Sequence, residues 1–263
     1  MRPSVQARRS AIELTTVYVL SIILIATLIR SAFGFGEALV AVPLLAFWIP
    51  LSIAAPLAVL VSITVAGIVV VQDWKNIHVG SAGWLVLSSL FGIPLGLLLL
   101  TSRHQSLAKG TLAVIIMAFS AYSLIGRTSF GRVPLELRRD DMGWLLACGF
   151  CAGVLGGAYG MNGPPLAIYG AMRRWSAQHF RATLQGYFLP ASVLGMAGYW
   201  WAGLWTPTVT HYYLLALPVT LLGVFLGRVI NHRLRGELFF KYLYVGLAGI
   251  GALLLVQAMT HRP

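Results

Sequence analysis

Seven carboxylates stand in the 263 residues, and six of them lie in polar stretches or at the ends of apolar segments. Glu37 is the exception: it sits well inside an apolar run, directly after Gly34-Phe35-Gly36. A carboxylate in such surroundings is costly unless paired or protonated, and usually serves a function. Three roles are open to it. It can carry a coupling proton or cation, it can cap its own helix and pair with Arg30 seven residues back, or it can line a water-filled mouth. Arg30 has two roles open, as ligand for an anion or as a long side chain snorkelling to the inner interface, and the second is preferred.

The second candidate is Gly160-Met161-Asn162-Gly163-Pro164-Pro165. Asn162 or Gly163 suits an N-cap, and proline suits the first helical turn, where its missing N–H would be unpaired anyway. A short helix is therefore expected to start here. Its free N–H groups and positive dipole end would make an anion site. Gly34-Phe35-Gly36 repeats the device, so Gly34, Gly36, Glu37, Gly160, Asn162, Gly163 and Pro164 form the candidate substrate site. The alternative for each break is a kink that serves packing alone. Arg173, Arg174 and Arg181 cluster downstream and could gather cytosolic anions, with Arg181 as an inner-side partner of the substrate, although topology alone also accounts for them. Cys148 and Cys151 form a C-x-x-C, which reads either as a thiol redox pair or, preferably, as two small packing residues on one helix face. No Ser/His/Asp or metal-ligand spacing appears, and no cofactor is expected.

The elements that must position these groups follow from composition. The chain is 58% hydrophobic and 10% charged, with a mean hydropathy of +0.82, where a soluble domain carries about 25% charged residues. That excludes a soluble enzyme, a disordered chain and a single-anchor protein. Apolar segments run over 14–33, 36–49, 52–72, 81–100, 108–126, 142–158, 163–172, 180–203, 210–230 and 239–259. All are expected to be helical, because lipid satisfies no backbone group. The fold class is thus an all-α polytopic membrane protein, with about eight spanning helices and two short broken half-helices, 36–49 and 163–172, each following a glycine break. Arg8-Arg9 before the first segment loosely suggests a signal peptide, but the run lacks a cleavage site and reads as the first helix.

The order long, short, long, long, long occurs twice. Leu90, Gly92, Leu95 and Gly96 match Leu221, Gly223, Leu226 and Gly227. Five segments per half force the second half to be inverted, giving repeats over 1–130 and 131–263. With loop 127–141 in the cytoplasm, 13 of the 19 Lys and Arg fall inside and 6 outside, as the positive-inside rule requires. The net charge of +12 is thereby explained without nucleic acid. Tyr199, Trp200, Trp201, Tyr212 and Tyr213 flank the outer loop 203–210 as an aromatic belt. Gly149, Gly153 and Gly157 form a ridge that admits another helix to backbone contact. Gly92/Gly96 and Gly223/Gly227 suit either internal packing or a homo-oligomer.

These residues resemble the sulfite exporter TauE/SafE family of membrane permeases. The resemblance is carried by Gly34 to Leu45, by Gly153 to Tyr169 with its Gly163-Pro164-Pro165, and by Phe180-Arg181-Ala182-Thr183-Leu184. It implies a multi-pass permease of the bacterial cytoplasmic membrane that moves sulfite, organosulfonates or related anions. It also implies that the two glycine motifs, with Tyr169, line the substrate path. Glu37 stands where family members often have an apolar residue. The expected function is an anion permease working by alternating access, not an enzyme. Its partners would be a small anion, the bilayer and a coupling proton or cation. A membrane thiol oxidoreductase and a non-transporting assembly protein are the competing readings.

Overall fold

The computed structural model describes residues 5–73, 79–102, 105–128, 142–173, 177–231 and 236–260. Ten helices follow in order: α1 (Val5–Phe33), α2 (Glu37–Leu45), α3 (Leu51–Asp73), α4 (Val79–Leu100), α5 (Gln105–Thr128), α6 (Met142–Tyr159), α7 (Gly163–Met172), α8 (Ala177–Trp201), α9 (Pro207–Asn231) and α10 (Gly236–Thr260). Each overlaps one of the ten apolar segments, although α1 starts earlier than its segment and α2 stops at Leu45 rather than 49, and there is no strand among the described residues. Hydrogen bonding within each segment is what an apolar solvent demands. Large apolar side chains such as Phe91, Leu98, Ile125 and Phe225 are exposed around the outside, where lipid would receive them.

Among the described residues, six helices carry apolar windows long enough to cross a membrane: α1, α3, α4, α5, α6 and α9. Helices α8 and α10 have 25 residues each. Among the described residues, α10 adds a shorter apolar stretch, Tyr244–Thr260. The two short helices have nine and ten residues. At 1.5 Å per residue they reach about 14–15 Å, half of a hydrocarbon core of about 30 Å. Both begin at buried positions, Glu37 and Gly163, and α2 is buried along nearly its whole length.

The main packing pairs are α4 with α6, α1 with α9, α5 with α10 and α3 with α8, followed by α4 with α8 and α3 with α9. Exchanging α1–α5 for α6–α10 turns this set into itself. Glycine lets the helices approach closely in the pairs α4 with α6 and α1 with α9. A Cβ on Gly92 would meet the backbone of Phe150 and Val154, and one on Gly96 that of Val154 and Ala158. From the facing helix, Gly153 abuts Ser89 and Gly157 abuts Ile93. On the other side, Gly223 lies against Thr27 and Gly227 against Ser31 and Leu28. The matched glycines are therefore used within one chain. Contact at backbone distance is how helices associate where lipid supplies no hydrophobic drive between them.

Candidate functional site

The first break begins where α1 runs out at Gly34, whose φ of 88° places it in the left-handed region. Its N–H still donates to the Arg30 carbonyl at 2.6 Å, as in a helix C-cap. Gln185 on α8 donates from Nε2 to the Gly34 carbonyl at 3.1 Å and holds the break open. Gly36, at φ 102°, is the N-cap of α2. Glu37 is the first residue of α2, and its carboxylate turns back to α1. Oε2 accepts from Arg30 Nη1 at 2.6 Å, and Oε1 accepts from Thr27 Oγ1 at 3.3 Å. Of the three roles read from sequence, the pairing with Arg30 is present. The cap bond is replaced by this bond to the preceding helix.

Arg30 does not snorkel. It is 3% exposed, as is Glu37, and the two form a buried ion pair. A second bond from Nη1 goes to Ser62 Oγ on α3, and the guanidinium lies over the Phe188 ring, 4.9 Å from its centroid. The sequence expectation fails because the break folds the carboxylate back toward Arg30. A desolvated pair with these extra contacts holds the cation inside.

The second break leaves α6 through Gly160 at φ 67°. Gly160 N–H donates to Gly156 at 2.8 Å and Met161 N–H to Leu155 at 3.2 Å. Tyr199 Oη donates to the Gly156 carbonyl at 3.0 Å, and Tyr159 Oη donates to Ala108 on α5 at 2.9 Å. Tyr199 is thus fully buried and not part of an interfacial belt, whereas Trp200 and Trp201 are exposed. Asn162 occupies the position before α7. Its side chain rests on Gly156, where any Cβ would collide with it, and neighbours Tyr187, whose hydroxyl lies 2.7 Å from Ser89 Oγ.

The two breaks face one cavity. Its lining includes Gly36, Glu37 and Arg30 from the first break, Gly160, Asn162, Gly163 and Pro164 from the second, and Ser62, Phe188 and Ser192 between them. It measures about 20 Å³, room for about one water. Two helix N-termini and one guanidinium converge on it, all electropositive. Glu37 and Arg30 are the two charged side chains buried among the described residues.

Residues 19–255 match the family model of sulfite exporter TauE/SafE. The chain belongs to that family. A relative from Cupriavidus necator, named Probable sulfite/organosulfonate exporter TauE, is 25% identical over 189 residues, 72% of this chain and 70% of its own. No solved structure matches the chain. Membership makes it a multi-pass membrane transport protein.

In this TauE/SafE protein, six of the nine residues proposed from sequence meet at the cavity: Gly36, Glu37, Gly160, Asn162, Gly163 and Pro164. Gly34 is one step away, with its carbonyl turned to Gln185. Tyr169 is buried in the apolar cluster with Phe35, Leu166 and Tyr187, outside the cavity lining. The Arg181 and Arg174 side chains lie outside the described residues. Arg173 stands over the Tyr169 ring, 5.6 Å from its centroid. Cys148 is buried and Cys151 exposed, both as free thiols, so the two do not share a packed face.

Sequence reasoning missed Ser62, Phe188 and Ser192, and misplaced Arg30. Ser62 and Ser192 are small hydroxyls inside apolar runs of α3 and α8, with oxygens 3.4 Å apart. A lone serine in a membrane helix commonly bonds its own backbone, so nothing in the local sequence set these two apart.

Proposed function

We propose that the protein is a permease for small oxyanions, with sulfite and organosulfonates as its substrate class, in the bacterial cytoplasmic membrane. The single observation that carries this is the convergence of both broken-helix N-termini and Arg30 on one interior cavity. Unpaired N–H groups at helix starts, in surroundings where water is scarce, favour anions. The name of the Cupriavidus relative gives the sulfur oxyanions as the class to test first.

The reading extends to architecture and mechanism. The chain is two inverted repeats, 1–130 and 131–263, with eight spanning helices and two half-helices. Support comes from the reciprocal packing of α1 with α9 and α4 with α6, and from the matched glycines in both crossings. A cavity of about 20 Å³ is too small for sulfite, so binding requires the helices around it to part. Alternating access opens the cavity first to one side and then to the other. Basic loops 73–80, 127–141, 173–181 and 228–241 lie on the cytoplasmic side.

The test is flux of radiolabelled sulfite and methanesulfonate in proteoliposomes. An uncoupled monoanion leaving a compartment that is negative inside gains about 2.3 kcal/mol per 100 mV. Saturable flux is expected, inhibited by one anion against the other. Absence of flux for every small oxyanion tried would sink the reading.

A further inference from the structure

We infer that Arg30 is the oxyanion receptor of this site and that Glu37 takes up one proton when the anion binds. The inference rests on the permease reading above and adds its coupling. Arg30 uses Nη1 for both Glu37 and Ser62. Its Nε and Nη2 are buried and have no hydrogen-bond partner. Those two nitrogens form one edge of the guanidinium, with parallel N–H groups spaced to bind two oxygens of one carboxylate-like or sulfonate-like group. An unpartnered donor edge on a side chain that is 3% exposed, from a residue that lines the cavity where both helix N-termini end, is suited to be an oxyanion fork. Unpaired buried donors are otherwise rare because each gives up its hydration with nothing in return.

Charge then determines the second half. Before binding, the cavity holds one cation and one carboxylate and is neutral. A monoanion on the Nε/Nη2 edge leaves one cation between two anions in a site of low dielectric. The surplus negative charge is removed when a Glu37 carboxylate oxygen accepts a proton from water on the open side. Arg30 keeps its own proton, since guanidinium does not deprotonate in proteins. The loaded site is neutral again, as Arg30 cation, bound anion and Glu37 carboxylic acid. Helices packed against α2 are α1, α3, α5 and α10. Their other described titratable groups, Glu13 and Tyr18 on α1, Lys109 and Tyr122 on α5 and Tyr244 on α10, do not line the cavity. From α3 the cavity receives only the hydroxyl of Ser62. Glu37 is thus the group placed to titrate with the anion. The carrier moves one anion with one proton, and the membrane potential drops out of the driving force.

The experiment uses the purified full chain in weakly buffered detergent solution with a pH indicator, and methanesulfonate, isethionate and sulfite as probes. The two sulfonates are permanently charged, so any proton taken up belongs to the protein. The expected result is about one proton per anion bound. In proteoliposomes, wild-type flux should respond to a pH gradient and stay unchanged under a potassium–valinomycin potential. Glu37→Gln should bind without proton uptake and make flux sensitive to the potential. Arg30→Lys, which keeps the charge and removes the fork, should weaken binding of all three probes at least about tenfold. If Glu37→Gln fails to fold, the wild-type proton count and potential response still decide the matter. Binding or flux without a proton overturns the proton coupling and leaves the permease reading standing. If none of the three probes binds or crosses, both fall.

Discussion

At the first break the chain leaves α1 through Gly34, re-enters helix at Gly36 and puts a carboxylate on the first residue of α2. At the second it leaves α6 through Gly160 and puts the neutral Asn162 just before α7. Each break has a left-handed glycine, and each has a carbonyl held by α8, through Gln185 in one case and Tyr199 in the other. The backbones are near equivalents, yet the first break carries both buried charges and the second carries none. The difference separates two jobs. Backbone geometry supplies two electropositive helix ends, and one pair of side chains supplies the buried charges, which in our proposal set the charge state the cavity can hold.

The largest expected effect breaks that asymmetry. Arg30→Gln leaves Glu37 buried without its cation and should destabilise the protein by about 3–5 kcal/mol. The double replacement Arg30→Met with Glu37→Met should destabilise far less, because an apolar pair removes both desolvated charges. Asn162→Ala in the neutral break should lie well below the single Arg30 change. Unfolding of the purified variants in detergent measures all three. Equal losses for Arg30→Gln and the double variant would refute the charged-pair account.

A smaller effect sharpens the backbone half of the comparison. Gly36→Ala places a Cβ at a positive φ, at about 1–2 kcal/mol, with Ile29 at an ordinary 3.6 Å. Gly160→Ala adds a collision with Val59 Cγ2 at 2.7 Å to the same strain, so about 2–4 kcal/mol is expected. The order Gly160 above Gly36 is the check. Smaller still, Gln185→Met and Tyr199→Phe each remove one bond to a break carbonyl and should lose about 1 kcal/mol apiece. Loss of flux without loss of stability in either variant would show that the break itself moves during transport. The smallest effect belongs to Cys151→Ser, on the exposed side of the helix that leads into the second break. Stability should change by less than about 0.5 kcal/mol, and anion flux should be unaffected. Loss of function there would revive the thiol reading.

Much of the fold was legible because lipid leaves a chain few options. Apolar runs must be helical, glycine pairs mark where they stop, and length alone separates the two half-helices from the rest. Thus Glu37–Leu45 and Gly163–Met172 were readable to within a few residues, and so were Gly36, Glu37, Gly160, Asn162, Gly163 and Pro164 as one candidate set. The local sequence also established that Glu37 is an outlier among the acids. What it could not decide is where a side chain points once a chain has turned. Arg30 near a helix end reads as a snorkelling residue, and Tyr199 beside two tryptophans reads as a belt residue. Both proved to be buried because of partners far away in sequence: Ser62 and Phe188 for Arg30, and Gly156 for Tyr199. Tertiary structure alone brought the two breaks to one cavity and left two buried nitrogens of the Arg30 guanidinium without a partner. The physical reason is that hydropathy and helix termination are properties of a segment, whereas the pairing of a buried charge is a property of everything packed around it.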